Sequence, residues 1–295
     1  MNAIITVAPT GPVATKADNA SLPTAPEEIA EHVEAAYHAG ASVAHIHLRD
    51  AQGRPTADLG TGRRVMDLIA ERCPILVQMS TGVGLGVPFE ERARLVELQP
   101  EMATLNPCSM TFGAGEFLNP PAEVRRLAAR MQDLGIRPEL EIYDSGHLEE
   151  CLRLRDEALV PERMQFSLVL GVRGGMAATA ENLVRMVALL PEDSIWQVIA
   201  IGRPNLQLTA MGLALGGNAR AGLEDTLYLR KGEPSPGSTP LVERAVRLAT
   251  DLDRGVCTVP EARAALLLGR TDQTPRPSTG RLAEAAKQTR QHTVS

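Results

Sequence analysis

Short apolar runs rich in valine, isoleucine and leucine alternate along the chain with amphipathic stretches of about 10–15 residues. This alternation is typical of strand–helix units built around a parallel sheet, whose strands are buried on both faces. We predict that the apolar runs are strands, and they begin at Ala3, Ser42, Ile75, Met102, Glu139, Gln165, Ile195 and Ala219. The run from Ala219 is the weakest of them.

A helical pattern follows each run. The first is well marked, because Thr24 can cap it, Pro26 suits its first turn and Gly40 ends it. The others begin near Arg63, Phe89, Pro121, Gly146, Ala180, Asn205 and Pro240. Eight strand–helix units in about 250 residues predict an α/β protein of the (β/α)8 TIM barrel class rather than a doubly wound sheet. No GxGxxG motif follows the first strand to favour dinucleotide binding.

The end of the chain differs from the repeating part. We predict a catalytic barrel domain over residues 1–255 and a C-terminal extension over residues 256–295. The extension holds one short helical stretch, EARAALLLGR, followed from about residue 271 by a polar tail. Few apolar residues are available there to offset the entropy of ordering, so a loose tail is favoured over an oligomer arm.

Composition and charge exclude several classes of function. The 295 residues are 44% hydrophobic and 22% charged, which is ordinary for a globular protein, and the formal net charge of -6 gives no basic footprint for nucleic acid. The N-terminal residues lack a basic region and no apolar stretch reaches the length of a membrane span, so we expect neither export nor membrane insertion. The four cysteines form no CxxC pair. We expect a cytoplasmic protein whose partners are small molecules or further copies of itself, with no nucleic-acid or membrane partner.

Polar residues collect at the ends of the predicted strands, where barrels of this class carry their chemistry. They are His45 and His47 on the second strand, Ser80 and Thr81 on the third, Thr104 and Asn106 on the fourth, Glu139 and Glu141 on the fifth, and Arg220, Glu224 and Asp225 around the eighth. Glycine-bearing segments, GVRGGMAAT and GRPN, follow the sixth and seventh strands. The sequence therefore predicts a site at this end of the barrel.

His45 and His47 point to the same side of their strand because they are two residues apart, so both imidazoles can face one metal ion. The alternative is that each histidine is a hydrogen-bonded barrel residue. Glu224 is a candidate third ligand, and two histidines with one carboxylate leave coordination positions open, as in catalytic zinc sites. Iron or manganese fits the same ligands. His147 is a competing ligand or supporting partner.

Asp225 and Arg220 form a candidate catalytic pair. An arginine next to an aspartate keeps it ionised and oriented for proton abstraction. The alternative is that Glu224 and Asp225 are a solvated acidic pair before a helix. Glu141, inside the barrel, needs a partner, which is either a ligating histidine or the substrate. Backbone N–H groups at Gly174 and Gly175 can receive a phosphate of a cofactor, although turn formation alone also explains these glycines.

Several blocks, in this order, resemble the β-keto acid cleavage enzyme family over about residues 4–229. They are ITVAPTG, TAPEEIA, AGASVAHIHLRDAQGRP, QMSTG, PELEIYDSGHL, LGVRGGMAAT and IGRPNLQLTAMGLALGGNARAGLEDTLYL. The resemblance implies a zinc-dependent reaction in which a β-keto acid and acetyl-CoA become acetoacetate and the CoA thioester of the shortened acid. It also implies a homotetramer.

Residue by residue, the resemblance assigns zinc to His45, His47 and Glu224, and the base with its arginine partner to Asp225 and Arg220. The same resemblance gives substrate handling to Ser80, Thr104 and Glu141, beside which Thr81 and Asn106 are further candidates for substrate binding. In members that act on an amine-bearing acid, a carboxylate is expected where this chain has Val13. We therefore expect a substrate tail that is not cationic.

Two other functions compete with this one. A zinc hydrolase of the amidohydrolase type also carries HxH at a strand end, but on its first strand and with further histidines on later strands. A non-catalytic barrel that binds metal or an acyl-CoA as a sensor needs no general base, whereas the sequence supplies a complete set of base, arginine and ligands.

Overall fold

The computed structural model describes residues 2–268. Within these residues, eight parallel strands close into a barrel in their order along the chain, with helices between them. This confirms the predicted (β/α)8 TIM barrel. The strands are β1 (Ile5–Val7), β2 (Val43–Ile46), β3 (Leu76–Met79), β4 (Met102–Leu105), β5 (Met110–Phe112), β6 (Gly115–Phe117), β7 (Arg137–Ile142), β8 (Gln165–Leu170), β9 (Ile195–Ala200), β10 (Asn218–Ala221), β11 (Tyr228–Arg230) and β12 (Glu233–Pro234).

The helices surround the barrel, and most of them begin within one residue of the predicted starts. They are α1 (Pro26–His38), α2 (Leu59–Arg72), α3 (Phe89–Ala93), α4 (Pro121–Asp133), α5 (Ser145–Asp156), α6 (Ala180–Leu189), α7 (Asn205–Ala214), α8 (Thr239–Asp251) and α9 (Val259–Ala265), with a 3₁₀ segment over Arg94–Leu98. None of these helices in residues 2–268 is both long and apolar enough to cross a membrane.

Two helix starts differ from the sequence prediction. Helix α1 has Ala25 at its N-cap, and the Glu28 carboxylate accepts the N–H groups of Thr24 and Ala25 at 2.8 and 3.1 Å, so the prediction of a Thr24 cap is wrong. Helix α2 begins at Leu59, before the predicted Arg63, because Asp58 accepts the Thr61 N–H at 2.6 Å. In α1 the carboxylate pairs two N–H groups that directly precede the helix, and in α2 it pairs one N–H group of the first turn.

Alternation along the barrel strands separates an apolar shell from a polar interior. On β8, Phe166 packs with residues of the surrounding helices, whereas Ser167 donates to the buried Glu139 carboxylate at 2.6 Å. In the register of neighbouring strands, Thr6 lies next to Arg220 and Glu141 next to Ser167. The main core thus lies between strands and helices, and the inner rows carry the polar residues that sequence analysis placed at the strand ends.

Two antiparallel hairpins interrupt the strand–helix repeat and were not predicted. One joins β5 to β6 after barrel strand β4, and the other joins β11 to β12 after β10. The first is tied to the loop after β8, since the Gly113 N–H donates to the Arg173 carbonyl oxygen at 2.9 Å. Insertions at these positions follow the carboxyl ends of the strands, so they lie at the mouth of the barrel.

The amino end of the barrel is closed by α9. Ala262 and Leu266 belong to one apolar cluster with Ile4, Val43, Leu76 and Met102 from the first strands. Ala3 also pairs with Val256 in an isolated bridge. The described part of the extension therefore packs on the barrel, although a domain boundary at residues 255 and 256 stays a prediction. The predicted polar tail from residue 271 lies outside the described residues.

Candidate active site

The two histidines and Glu224 converge at the barrel mouth. His45 is on β2 and His47 directly follows it, while Glu224 lies in the turn after β10. The Nε2 atoms of His45 and His47 lie 3.6 and 3.5 Å from Glu224 Oε1, and ligand atoms of all three residues lie within 4.8 Å of one another. The side chains of the histidines are buried and that of Glu224 is 11% exposed. This arrangement can hold a cation.

The hydrogen bonds around these ligands fit a metal ion. Nδ1 of His45 lies 2.7 Å from Gln78 Oε1, so it carries the proton and leaves the Nε2 lone pair directed at the site. His45 Nε2 and Glu224 Oε2 are buried without a hydrogen-bond partner within the described part of the chain. Buried polar atoms are normally satisfied, and a cation between them would satisfy both. Two imidazoles and one carboxylate are the donor set of an open, catalytic zinc site.

Arg220 joins the ligand set to a second carboxylate. Its Nε and Nη2 atoms donate to the two oxygens of Asp225 at 2.9 and 2.6 Å, and Nη2 also donates to Glu224 Oε1 at 2.6 Å. Its Nη1 atom lies 3.8 Å from Glu141 Oε1, and all four side chains are buried or nearly so. One guanidinium thus binds two carboxylates by hydrogen bonds and lies within ion-pair distance of a third, all around the candidate metal site.

Burial and charge divide these carboxylates into two groups. Burial is the largest influence on each of them, and it raises the pKa of Glu141 and of Asp225, although Arg220 opposes it in both cases. For Glu224, burial is outweighed by Arg220, His45 and His47 together, so its pKa falls well below the ordinary value. Asp225 is therefore a better proton acceptor than a surface aspartate, whereas Glu224 stays ionised, as a ligand must.

A polar rim lies beside the ligands on the ends of two neighbouring strands, and it consists of Ser80, Thr81, Thr104 and Asn106. The Thr81 N–H donates to Thr104 Oγ1 at 3.0 Å, and the Thr81 hydroxyl donates to the Thr104 carbonyl oxygen at 2.8 Å. Both amide atoms of Asn106 are buried and lack a partner in residues 2–268. A Cβ built at Gly82 would lie 3.5 Å from Ser80 Oγ and 3.6 Å from Asn106 Nδ2. The Ser80 hydroxyl and the Asn106 amide therefore lie close to the same position in space.

Other predicted residues take structural positions. Ser167 and Gln197 donate to Glu139, and Gln165 does so at 2.6 Å. His147 is buried on α5, where its Nδ1 accepts the Tyr143 N–H at 3.4 Å, and it is not part of the metal-ligand group found among the described residues. We therefore exclude His147 from the candidate ligand set.

Gly174 and Gly175 lie where the loop after β8 meets the first hairpin. A Cβ at Gly174 would stand 1.8 Å from the Thr111 carbonyl oxygen, and one at Gly175 would stand 3.0 Å from Tyr143 Cβ. The Gly175 N–H already donates to the Val172 carbonyl oxygen at 3.0 Å. Close packing thus accounts for both glycines, and their contact with a CoA phosphate stays a prediction.

Sequence analysis missed the residues that hold the site in place. Gln78, on β3, orients His45. The sequence signal that could have identified it is its position two residues before Ser80, which puts both side chains on the same side of the strand. Arg49 is 2% exposed and donates to the carbonyl oxygens of Gly11, Ala14 and Gly53, which fixes the loop after β1. That loop presents Val13, whose side chain is 73% exposed.

Comparison with known proteins gives a consistent set of relatives. A sequence model described as beta-keto acid cleavage enzyme matches residues 2–268. The chain is 39% identical over 267 residues to a 3-keto-5-aminohexanoate cleavage enzyme of Fusobacterium nucleatum, with 90% of this chain and 97% of that protein covered. It is 33% identical over 267 residues to a 3-oxoadipate:acetyl-CoA acetyltransferase of Cupriavidus necator, with 89% and 94% covered.

A solved structure of ObcA in binary complex with oxaloacetate has the same fold. It matches with a TM-score of 0.71 at 21% identity, and the match covers 85% of this chain and 68% of that one. At this level of identity the likeness supports the barrel architecture and says nothing about the reaction.

Proposed function

The chain belongs to the β-keto acid cleavage enzyme family, and on that basis we propose that it converts a β-keto acid and acetyl-CoA into acetoacetate and the CoA thioester of the shortened acid. The observation that carries this proposal is the convergence of His45, His47 and Glu224 beside the Arg220–Asp225 pair. It supplies three ligands, a proton acceptor and a cation at one end of a barrel.

The metal ligands and the base have separate roles. A divalent cation, which we propose to be zinc, would be held by His45, His47 and Glu224 and would act as a Lewis acid toward the oxygens of the keto acid. Asp225 removes a proton from the carbon between the ketone and the carboxylate, and its raised pKa suits that task. Arg220 fixes the plane of the Asp225 carboxylate through two hydrogen bonds.

The reaction then exchanges one acyl group for another. The deprotonated carbon bonds to the acetyl carbonyl carbon, and the CoA thiolate leaves. The thiolate adds to the ketone carbon of the original acid, and the bond between that carbon and the deprotonated carbon breaks. Acetoacetate regains its proton from Asp225 and departs, leaving the new CoA thioester.

We assign the polar rim to the substrate carboxylate. The Asn106 amide lacks a partner in the part of the chain that the structure covers, and the Ser80 hydroxyl accepts the Gly82 N–H at 3.2 Å, which leaves its own proton free to donate. Thr81 and Thr104 bond to each other and hold the shape of the rim. Glu141, buried and with a raised pKa, can hold a proton close to Arg220.

The substrate tail is proposed to be neutral, apolar or anionic. The names of the two relatives include an aminohexanoate and an oxoadipate, so related proteins act on acids with cationic and anionic tails. At the position where the family resemblance places a carboxylate for an amine, this chain has the exposed Val13. An apolar residue provides no counter-charge for an ammonium group.

The test is to incubate the purified, metal-loaded protein with acetyl-CoA and a panel of β-keto acids that differ in tail charge. We expect acetoacetate and a new acyl-CoA in equal amounts, detected by mass spectrometry. Release of free acid without a CoA-linked product would favour the hydrolase alternative, and binding without turnover would favour the sensor. We also propose a cytoplasmic homotetramer, on the family resemblance, and light scattering of the purified protein tests the oligomeric state.

A further inference from the structure

Arg92 on α3 is a buried arginine to which neither the family resemblance nor the proposed reaction assigns a role. Its side chain is 2% exposed, and its guanidinium donates to the Thr81 carbonyl oxygen at 3.2 Å, to Asn119 Oδ1 at 3.0 Å and to the Leu118 carbonyl oxygen. It therefore ties the strand end that carries Ser80 and Thr81 to the segment that follows the first hairpin.

Two aromatic rings enclose the same guanidinium. Its Cζ atom lies 4.7 Å from the ring centroids of both Phe89 and Phe117. Such contacts stabilise a cation, and they also exclude water from it. Phe117 in turn reaches the polar rim, because a Cβ built at Gly82 would lie 3.6 Å from Phe117 Cζ as well as close to Ser80 Oγ and Asn106 Nδ2.

Within the part of the chain that the structure describes, no carboxylate compensates this charge. Among residues 2–268, Arg92 forms no ion pair with an aspartate or glutamate, and its neutral partners are two carbonyl oxygens and an amide. Burial lowers the pKa of its guanidinium to about 10, which still leaves it protonated at neutral pH. Burial also lowers the pKa of Arg49, the comparable arginine of the neighbouring loop, but there the charges of Glu224 and Asp50 oppose the effect of burial.

A buried charge without a partner is costly to the folded state, and it becomes favourable when a counter-ion arrives. The uncompensated Arg92 guanidinium contacts the backbone carbonyl group of Thr81. Thr81 belongs to the polar rim that also carries the Ser80 hydroxyl and the Asn106 amide, which has no partner among the described residues. These are hydrogen-bond donors for an anion, with a fixed positive charge behind them. The keto acid supplies an anion of this kind in its carboxylate.

We propose that Arg92 is a positioning residue that supplies the counter-charge for the substrate carboxylate at the Ser80–Asn106 rim without touching it. The inference rests on the proposed function, because it takes that rim as the carboxylate subsite. It adds a source of selectivity for the anion over an uncharged analogue of the same shape.

The experiment compares the binding of acetoacetate and of its neutral methyl ester to the metal-loaded protein by calorimetry. Asn119→Asp is the decisive variant, because it places a carboxylate against Arg92 and cancels its charge while the hydrogen bond between the two side chains stays in place. We expect it to lower the preference for acetoacetate over the ester about tenfold. Asn119→Leu is the control without added charge: it removes the hydrogen bonds of the Asn119 side chain to Arg92 and to the Cys108 carbonyl oxygen, and we expect it to retain the preference.

Two variants of Arg92 itself complete the test. Arg92→Lys keeps the charge and retains the preference, whereas Arg92→Gln loses it, with folding checked by thermal denaturation. An unchanged preference in Asn119→Asp, or an equal loss of affinity for acetoacetate and for the ester, would overturn the inference in favour of a purely structural role for Arg92.

The proposed function is tested separately by turnover of the wild-type protein. Turnover without any preference for the anion would refute the role of Arg92 alone. An Arg92-dependent preference in a protein that forms no acyl-CoA would refute the proposed reaction alone.

Discussion

Gly11 and Glu224 lie so close together that a Cβ atom added at Gly11 would stand 2.4 Å from Glu224 Cγ. The loop after β1 therefore forms one wall of the candidate metal site. Arg49 fixes that wall by donating to the carbonyl oxygens of Gly11 and Ala14. A glycine is required at residue 11 because of this approach and not because of its backbone conformation, since its φ is not in the left-handed region.

The first prediction follows from this contact. Gly11→Ala should displace the Glu224 carboxylate and lower the affinity for zinc about 10- to 100-fold, as loss of ligand orientation does. Competition with a chromogenic chelator measures the affinity. Gly237→Ala is the control, because a Cβ there would meet only His32 Cε1 at an ordinary 3.6 Å. Equal zinc affinity in the Gly11→Ala protein and the control would remove Glu224 from the ligand set.

The second prediction concerns Gln78, whose side-chain oxygen accepts a hydrogen bond from His45 Nδ1. Gln78→Leu removes that acceptor and frees the imidazole to rotate or change tautomer, so we expect about a 10-fold loss of zinc affinity. Gln197→Leu is the matched control, because it also loses buried hydrogen bonds but contacts Glu139 and Ser167 rather than a histidine. If both variants bind zinc as the wild type does, Gln78 has no part in orienting the ligand.

Much of this site could be expected from the sequence because it depends on local rules. The spacing of His45 and His47 puts both on one face of a strand, and the strand–helix repeat puts strand ends from distant parts of the chain at one mouth. The inserted hairpins were missed because strands of three residues, such as Met110–Phe112, have too little periodicity to be recognised.

The supporting residues depend on tertiary contacts that local patterns do not contain. Arg92 follows two glutamates in a short helix and is expected to be a solvated charge, yet Phe117 and Asn119 arrive from elsewhere in the chain to enclose it. Gln78 is likewise an ordinary polar residue of a strand until the register places it beside His45. Burial of this kind is a property of the fold and not of a sequence window.

The third prediction tests the base. Asp225→Asn keeps a side chain of the same shape next to Arg220 but cannot accept a proton, so turnover should fall about 10²–10⁴-fold. Zinc content, measured by plasma mass spectrometry, should stay at the wild-type level because Asp225 is not a ligand. Retained turnover would count against Asp225 as the base, and lost zinc would show that it holds the ligands instead.

The fourth prediction concerns the substrate tail. Val13→Glu adds a carboxylate at an exposed position of the loop after β1, and an exposed ion pair with an ammonium tail is worth about 1 kcal/mol or less. We therefore expect kcat/KM for an amine-bearing β-keto acid to rise about two- to fivefold relative to a neutral acid. Val13→Gln, which adds similar bulk without charge, should leave the ratio unchanged. No change with glutamate would show that the tail lies elsewhere.

The fifth prediction concerns the closure of the barrel by α9. Leu266 is 1% exposed against the first strands, so Leu266→Ala should lower the free energy of unfolding by about 2–5 kcal/mol in a denaturant titration. Leu252→Ala, at a position that is 40% exposed, should change it by less than about 0.5 kcal/mol. Similar stabilities for the two variants would mean that α9 does not contribute to the folded barrel.

The most direct test of the central claim is to follow carbon atoms through a single reaction. The protein, stripped of metal and then reloaded with zinc, is given acetyl-CoA labelled with ¹³C in both acetyl carbons and an unlabelled β-keto acid. We predict acetoacetate labelled in its methyl and ketone carbons and an unlabelled acyl-CoA, formed with zinc and lost when the metal is removed. Label in the product acyl-CoA, release of labelled free acetate, or an equal rate without metal would contradict the account.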